Sequence, residues 1–382
     1  MKFLFTCSFY PPYSLGGDGV HVKYLAEALV KKGHQVYVLT SLDAYRFKRD
    51  DFNKKIVEDG NVKVFRIKTK YYNWHCFSNY TFSSSELVME EFKRLINEIK
   101  PDVVHHHNIS LLGWNILKKI GNYKNIYTAH DYWLICSKYD LLRKWKECKK
   151  NKNFLNCFIC CSKHFKPYQF FRLTKKFNEV LKDIDLIIAP SKFMSDKLND
   201  NFNVAILYNF VPTPMKVEKN EFRNYYLFVG ALERYKGVKE LVELFKSFNG
   251  NLVIAGGGSL TKYITNLKEK NIHYIGWIDG ERKYSIISNA MVLILPSKWP
   301  ENMPLVALEA LSCGVPVFGS NYGGVPEILE KFKGIPFFEH GSEKLIKNLK
   351  IVEKISKTEC KQVFKKNFSV NAFFKKYFNS IK

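Results

Sequence analysis

Two carboxylates and a lysine carry the first chemistry that can be read from this sequence. Glu301 stands just ahead of a segment that opens at Pro304 and closes at Gly314, the asymmetry expected of a helix. Free backbone N–H groups and the dipole at a helix entry can hold an anion. Glu309 lies inside that segment among Leu305, Val306, Leu308 and Leu311, where a buried carboxylate needs hydrogen-bond donors. Sugar or ribose hydroxyls would supply them, as they do for the acidic residue of dinucleotide folds. The ordinary alternatives are a helix-terminus charge at Glu301 and a solvated helix face at Glu309. Lys236 sits in the loop Gly230 to Gly237, which enters a helix predicted over Val238 to Phe248. A lysine so placed suits a phosphate, or is a plain surface lysine.

Imidazoles and thiols form the other two groups. Asp102 to His107 reads as a strand with three adjacent histidines. Strand alternation sends His105 and His107 one way and His106 the other, which argues against a three-histidine metal site. Ile126 to Ala129 is a strand ending in His130 and Asp131, and ligands sit at the carboxyl ends of parallel strands. A packed histidine beside a capping aspartate is the alternative. Cys136, Cys148, Cys157 and Cys160 crowd into residues 136–176, with Cys161 as an alternate ligand. One Cys-x-x-Cys pair plus two further thiols suggests a structural zinc site; the alternative is a set of free, reduced cysteines.

These groups need a frame. Strand Lys2 to Ser8, a loop with Gly16 and Gly17, a helix stopped at Gly33 and strand Val36 to Thr40 make a nucleotide-type βαβ unit. Glycines there let backbone approach a phosphate, although a plain turn explains them equally. Further strands are predicted over Val62 to Ile67, Asp185 to Ala189 and Val204 to Leu207, and helices over Glu86 to Ile99 and Lys192 to Leu198. A charged linker around Pro212 to Lys216 separates a second series: Tyr225 to Val229, Leu252 to Ala255, Met291 to Leu295 and Val315 to Phe318. The expected domains are 1–211, with a cysteine-rich basic insertion at 136–176, then 212–365, then a terminal helix over 366–382.

The run Pro-Ser-x-x-x-Glu over 296–301, Glu309, Gly-x-Pro-Val over 314–317 and Gly-Gly-x-Pro-Glu over 323–327 resembles the retaining glycosyltransferases of family 4. The resemblance covers nearly the whole chain and is weakest over 41–85 and 136–176. It implies a GT-B fold, two doubly wound Rossmann-like α/β domains facing a cleft, and transfer of a hexose from a nucleotide sugar. It implies that Glu301 holds the donor sugar and that Glu309 binds the ribose. It also implies that Gly16, Gly17, Lys236, Gly276, Asn302, Met303, Pro304 and Leu305 lie on the donor. His130 is implied at the reacting carbon, and His105, His107 and Asp131 on the acceptor side. Ala231 stands where the family has an arginine, and Arg234 is the nearest substitute. Some family members carry a related His-Asp-x-Trp-x-x-Cys followed by further cysteines. The last helix of such enzymes crosses back onto the first domain. No catalytic metal is expected, because helix N-termini, Lys236 and Arg234 can neutralise a leaving diphosphate.

Composition bounds the partners. The 382 residues carry a formal charge of +24, from 60 Lys+Arg against 36 Asp+Glu, which calls for an anionic partner. No nucleic-acid module is recognisable and the basic residues are dispersed, so nucleic acid is not expected. The expected partners are a UDP-, GDP- or ADP-linked hexose and a glycan or lipid-linked acceptor. Met1 to Phe9 lacks the features of a signal peptide, and the expected address is the cytoplasm. Nine cysteines, an odd number, suggest a reducing compartment rather than a disulfide framework. Peripheral attachment to an anionic membrane face is predicted from Arg143, Lys144, Lys146, Lys149, Lys150, Lys152, Lys163, Lys166, Arg172, Lys175 and Lys176. Trp145, Phe165, Tyr168, Phe170 and Phe171 are interleaved with them. A solvated basic surface is the alternative, and a catalytically silent glycosyltransferase-like subunit is the competing function.

Overall fold

Short apolar runs alternate with amphipathic helices along the chain, and in the computed structural model they form two parallel sheets. The structure describes residues 1–49, 61–82, 85–143, 146–148, 153–198, 202–214, 220–338 and 345–381. Lys144, Trp145, Lys149, Lys150, Lys152 and Lys216, all noted in the sequence, lie outside these residues. The chain divides into two compact units. The first comprises Met1–Pro190, Met194–Leu207 and Tyr377–Lys382; the second comprises Ser191–Phe193 and Tyr208–Lys376.

The first unit is built on β1 (Lys2–Cys7), β2 (Gln35–Ser41), β3 (Val62–Ile67), β4 (Val103–His106) and β5 (Lys124–Thr128). A small antiparallel hairpin, β6 (Leu142–Arg143) and β7 (Lys146–Glu147), precedes the last two strands, β8 (Leu186–Ala189) and β9 (Val204–Ile206). The sheet order is β3-β2-β1-β4-β5-β8-β9, with every neighbour parallel. Parallel strands are covered on both faces, which is why Phe3, Leu4 and Phe5 are consecutive and all buried. Helix Glu86–Ile99 shows how sequence sets an element here. Ser85 Oγ accepts from the Val88 N–H at its start, and Val88, Phe92, Leu95, Ile96 and Ile99 form its buried stripe.

The second unit holds β10 (Tyr225–Val229), β11 (Asn251–Ala255), β12 (Ile272–Tyr274), β13 (Val292–Leu295) and β14 (Val317–Gly319). Their order is β12-β11-β10-β13-β14, again all parallel. Phe228, Leu241, Phe245, Ile254, Val292 and Phe318 sit in its core. The loops after β10 and β11 meet closely: a Cβ on Gly256, at φ +137°, would lie 1.9 Å from the Gly230 carbonyl oxygen. Both units are doubly wound Rossmann-like folds. In each, strand order reverses beside the first strand, between β1 and β4 and between β10 and β13. Loops leaving the carboxyl ends at such a reversal diverge and leave room for a ligand.

Residues 136–176 hold the β6–β7 hairpin, helix Phe154–Lys163 and a short 3-10 turn at Phe170–Leu173, all within the first unit. Helices Lys357–Asn367 and Val370–Ile381 end the chain. Among the described residues, no helix is long and apolar enough to cross a membrane.

Candidate active site

In the second unit the two loops at the strand reversal bring the charged groups together. The loop after β10 ends in a 3-10 turn, Arg234–Lys236, closed by Gly237 at φ +72°. The loop after β13 carries Ser297 and Glu301. Lys236 Nζ lies 2.5 Å from Glu301 Oε1, and Ser297 Oγ donates to the same oxygen at 2.6 Å. Glu301 is only 9% exposed, so this pairing compensates a largely desolvated carboxylate. Arg234 shares the turn with Lys236 and is exposed.

The backbone around Glu301 is held by glycines. The Gly324 N–H donates to the Glu301 carbonyl at 2.6 Å. A Cβ on Gly324 would stand 1.7 Å from the Asn302 oxygen, and one on Gly323 would stand 2.3 Å from the Glu301 oxygen. Only glycine lets these segments pack so closely. Asn209 Nδ2 donates to the Met303 carbonyl at 3.0 Å. Asn302 and Met303 are buried, while Pro304 and Leu305 are half-buried at the entry of helix Leu305–Cys313. Gly276, at φ +74°, follows β12, and its carbonyl accepts from the Gly256 N–H at 2.8 Å.

Glu309 is 2% exposed inside that helix. Its donor is Lys283 Nζ, at 2.6 Å, from helix Gly280–Ser288. The buried carboxylate thus has a donor from the chain itself, on one of its two oxygens. Lys283 escaped sequence reasoning because it reaches Glu309 across a helix–helix contact. Ser297 stands in the Pro-Ser-x-x-x-Glu run, but nothing local shows that its hydroxyl turns back to Glu301 across a loop.

The first unit assembles imidazoles instead. His107 Nδ1 lies 2.9 Å from His130 Nε2. His105 hydrogen-bonds Thr128 Oγ1 at 2.7 Å and the Tyr377 hydroxyl at 3.1 Å. The four rings stack in series. Centroids are 5.9 Å apart from Tyr377 to His105, 4.2 Å from His105 to His107 and 5.2 Å from His107 to His130. His21, from helix Gly17–Lys31, meets His130 edge-on at 5.3 Å. His106 turns to the opposite face, held by Thr6 Oγ1 at 2.7 Å and Asn125 Oδ1 at 2.9 Å. This is the alternation of a strand.

Burial sets the charge of this group. It lowers His130 to about 4. His21, His105 and His107 fall well below the usual imidazole range, first through burial and then through the neighbouring imidazoles. All four are neutral at pH 7. Burial raises the Asp131 carboxyl to about 7, against the opposing effect of the Trp133 N–H, which donates to it at 2.8 Å. His105 has both ring nitrogens occupied and is fully buried, so it offers no atom to an acceptor; it packs behind His107. His130 and Asp131 keep partial exposure.

Gly16 caps helix Gly17–Lys31 in an extended conformation, and a Cβ there would meet only Asp18 Oδ1, at 3.3 Å. Gly19 is the position that sequence reasoning missed. A Cβ on it would stand 2.8 Å from the Phe9 carbonyl oxygen.

Cys136, Cys148, Cys157, Cys160 and Cys161 line one cavity beside Lys138 and Arg143. Among the described residues, no group of three or more Cys, His, Asp or Glu side chains is placed to hold a metal ion. The zinc site expected from Cys136, Cys148, Cys157 and Cys160 is corrected accordingly. The thiols surround a cavity without converging on one point. Burial pushes Cys157 up to about 11 and Cys161 up to about 12, which keeps them protonated. None of the nine cysteines forms a disulfide.

Comparison with known proteins gives this geometry a context. The model described as Glycosyltransferase Family 4 matches residues 15–214, and that described as Glycosyl transferases group 1 matches 213–367. An uncharacterised 42.6 kDa protein of the cps region of Klebsiella pneumoniae is 26% identical over 368 residues, 89% of this chain and 90% of its own. An uncharacterised glycosyltransferase of Methanocaldococcus jannaschii is 26% identical, over 86% of this chain and 83% of its own. Sucrose-phosphate synthase from Thermosynechococcus elongatus superposes with a TM-score of 0.70 at 16% identity, covering 99% of this chain and 98% of its own. Anabaena HepE in complex with UDP-glucose does so with 0.65 at 14%, covering 100% and 99%. At such identities the solved structures establish the fold, which is GT-B. The family models carry the rest: this chain is a GT-B glycosyltransferase and belongs to the family that the Family 4 and group 1 models describe.

Proposed function

We propose that this glycosyltransferase moves a hexose from a nucleotide sugar to a glycan or lipid-linked acceptor, with retention of configuration, in cell-surface polysaccharide synthesis. The observation that carries the reading is the Lys236–Glu301–Ser297 constellation at the strand reversal of the second unit. In this reading Lys236 swings from Glu301 to the donor diphosphate, and Arg234 on the same turn joins it. Two cations there stabilise the charge that develops as the glycosidic bond breaks. Glu301, released from its lysine, accepts hydrogen bonds from the sugar hydroxyls. Glu309 and Lys283 take the ribose. Gly276 and the backbone of Asn302, Met303, Pro304 and Leu305 complete the donor side, and Gly16 and Gly17 lie by the phosphates.

The first unit supplies the acceptor side. His130, neutral and partly exposed, is suited to hydrogen bonding at the reacting centre, with His107 fixing its ring and Asp131 beside it. Attack comes from the face the leaving group departs, and the diphosphate takes the acceptor proton. Electrostatic stabilisation by these residues asks for no catalytic metal. The thiols, none in a disulfide, and a nucleotide-sugar donor fit a reducing, cytoplasmic compartment. The Klebsiella relative's place in a cps region and the UDP-glucose complex of HepE support the polysaccharide and nucleotide-sugar assignments.

The test is a donor panel. UDP-, GDP- and ADP-hexoses are each incubated with the protein, and release of nucleoside diphosphate is followed with and without glycan acceptors. One base should stand out, and the product should keep the donor's anomeric configuration by NMR. An inverted product would refute retention. No release from any donor, with or without acceptor, would favour the silent-subunit reading.

A further inference from the structure

Helix Phe154–Lys163 is apolar on its outer face as well as its inner one. Cys157, Cys160 and Cys161 turn to the thiol-lined cavity, while Phe154, Leu155, Phe158 and Ile159 are exposed, Leu155 by 66%. The exposed rings are contiguous. Phe154 and Phe158 lie 5.9 Å apart, Phe158 and Phe170 6.5 Å, and Phe170 stacks on Phe82 at 5.8 Å. Leu173 is exposed just beyond. Phe165 ends the helix in the left-handed region at φ +52°, a place glycine usually takes, and its side chain is 99% exposed. A soluble surface has no use for so many projecting apolar groups, and the left-handed phenylalanine adds a local cost.

The charge of the same stretch has one sign. From Phe154 to Asn178 there is no acidic residue, and Lys163, Lys175 and Lys176 are exposed. We propose that this face docks the protein on an anionic lipid bilayer, with Leu155, Ile159 and Phe165 entering the headgroup boundary and the lysines pairing with phosphates. The proposal goes beyond sugar transfer and stands without it. A second copy of the chain is a poor occupant, because a self-paired face would bring its lysines together. Projecting apolar side chains suit a fluid interface, which accepts them in any pattern, whereas a protein partner needs a matching groove.

The surface differs from the one expected from sequence. Tyr168 and Phe171 are buried. Arg172 is spent on the backbone carbonyls of Trp133 and Leu134. Phe154, Leu155, Phe158, Ile159, Leu173 and Phe82 take their place.

The experiment is flotation with phosphatidylglycerol-containing and pure phosphatidylcholine vesicles, at about physiological ionic strength. The wild-type protein should float with the anionic vesicles and largely stay behind with the neutral ones. Leu155→Glu with Phe165→Glu should cut binding on the order of tenfold or more, with an unchanged melting temperature. Lys163→Gln, Lys175→Gln and Lys176→Gln together should cut it about a hundredfold. These lysine variants carry the test if the glutamates disturb folding. Wild-type protein that ignores anionic vesicles, or variants that bind them as well as wild type, would overturn the proposal. So would a wild-type dimer in sedimentation that the glutamate pair dissolves without any vesicle binding.

Discussion

The candidate site of the second unit is built from fixed charges in pairs; that of the first is built from neutral rings in a stack. Lys236 with Glu301 and Lys283 with Glu309 are two ion pairs, each holding a largely buried carboxylate. His130, His107 and His105 are uncharged, and Tyr377 closes their row. The difference teaches where electrostatic work is available. A buried ion pair already has its charges desolvated, but drawing the lysine away leaves a buried carboxylate, so an exchange onto a phosphate is cheap only if new donors reach Glu301 at the same time. A neutral stack has no charge to offer, and its value is to place one partly exposed imidazole rigidly.

The sharpest way to break this contrast is Glu301→Ala. Loss of one preorganised contact at a reacting centre costs roughly 3–4 kcal/mol, or about 10²–10³ in rate. The expected result is a folded protein with turnover down by that factor, measured by nucleoside diphosphate release. Near-normal turnover would remove Glu301 from the site.

Lys236→Ala comes next. Hydrogen bonds to charged groups contribute about 1.5–3 kcal/mol, so affinity for the preferred nucleoside diphosphate should fall by about tenfold to a hundredfold. Affinity for the acceptor should hardly change. Calorimetry reads both, and an unchanged diphosphate affinity would place the phosphate contact elsewhere.

Acid sharpens the other side of the comparison. His21, His105, His107 and His130 bind protons in the unfolded chain below about 6.5, and in the folded chain only at lower pH. Their stabilising contribution is therefore present above 6.5 and is lost as pH falls. Each contributes a slope of up to about 1.4 kcal/mol per pH unit. Asp131 and Asp18 act oppositely, since burial raises both carboxyls and their contribution is lost as pH rises. Four imidazoles outweigh two carboxyls, and the melting temperature should drop from pH 6.5 downwards. A flat or rising profile would contradict the neutral stack.

Tyr377→Phe is the mildest change. It keeps the ring on His105 and removes only the hydroxyl contact at 3.1 Å. The expected cost is about 1 kcal/mol of stability with little effect on donor affinity. Chemical denaturation measures it. A large loss of donor binding would show that the stack reaches further than its geometry implies.

Several elements were legible residue by residue. Strands Val62–Ile67 and Tyr225–Val229 and helices Glu86–Ile99 and Lys192–Leu198 fall where apolar spacing and caps put them. Strand Ile272–Tyr274 was not read from the sequence; it is only three residues long, and the chain leaves it before Gly276, which takes a positive φ. Local spacing also separated His106 from His105 and His107. The cysteines show the limit. Cys157, Cys160 and Cys161 share a helix face that sequence could predict, but whether they converge with Cys136 and Cys148 on one point depends on how the helix sits.

By itself the sequence determined the alternation of strands and helices, the restart of the pattern at Tyr225, and the residue types at strand ends. These follow from periodicity and from backbone rules that act over a few residues. Tertiary structure alone decided the partners. Lys236 reaches Glu301 across 65 positions, and Tyr377 reaches His105 across 272. Nothing local records such pairings, because they exist only where strand order reverses or a distant helix returns to the sheet. The exposed face of helix Phe154–Lys163 belongs with them. Its apolar residues look like core until the fold leaves them facing outward, and burial is a property of the packed chain, not of the residue.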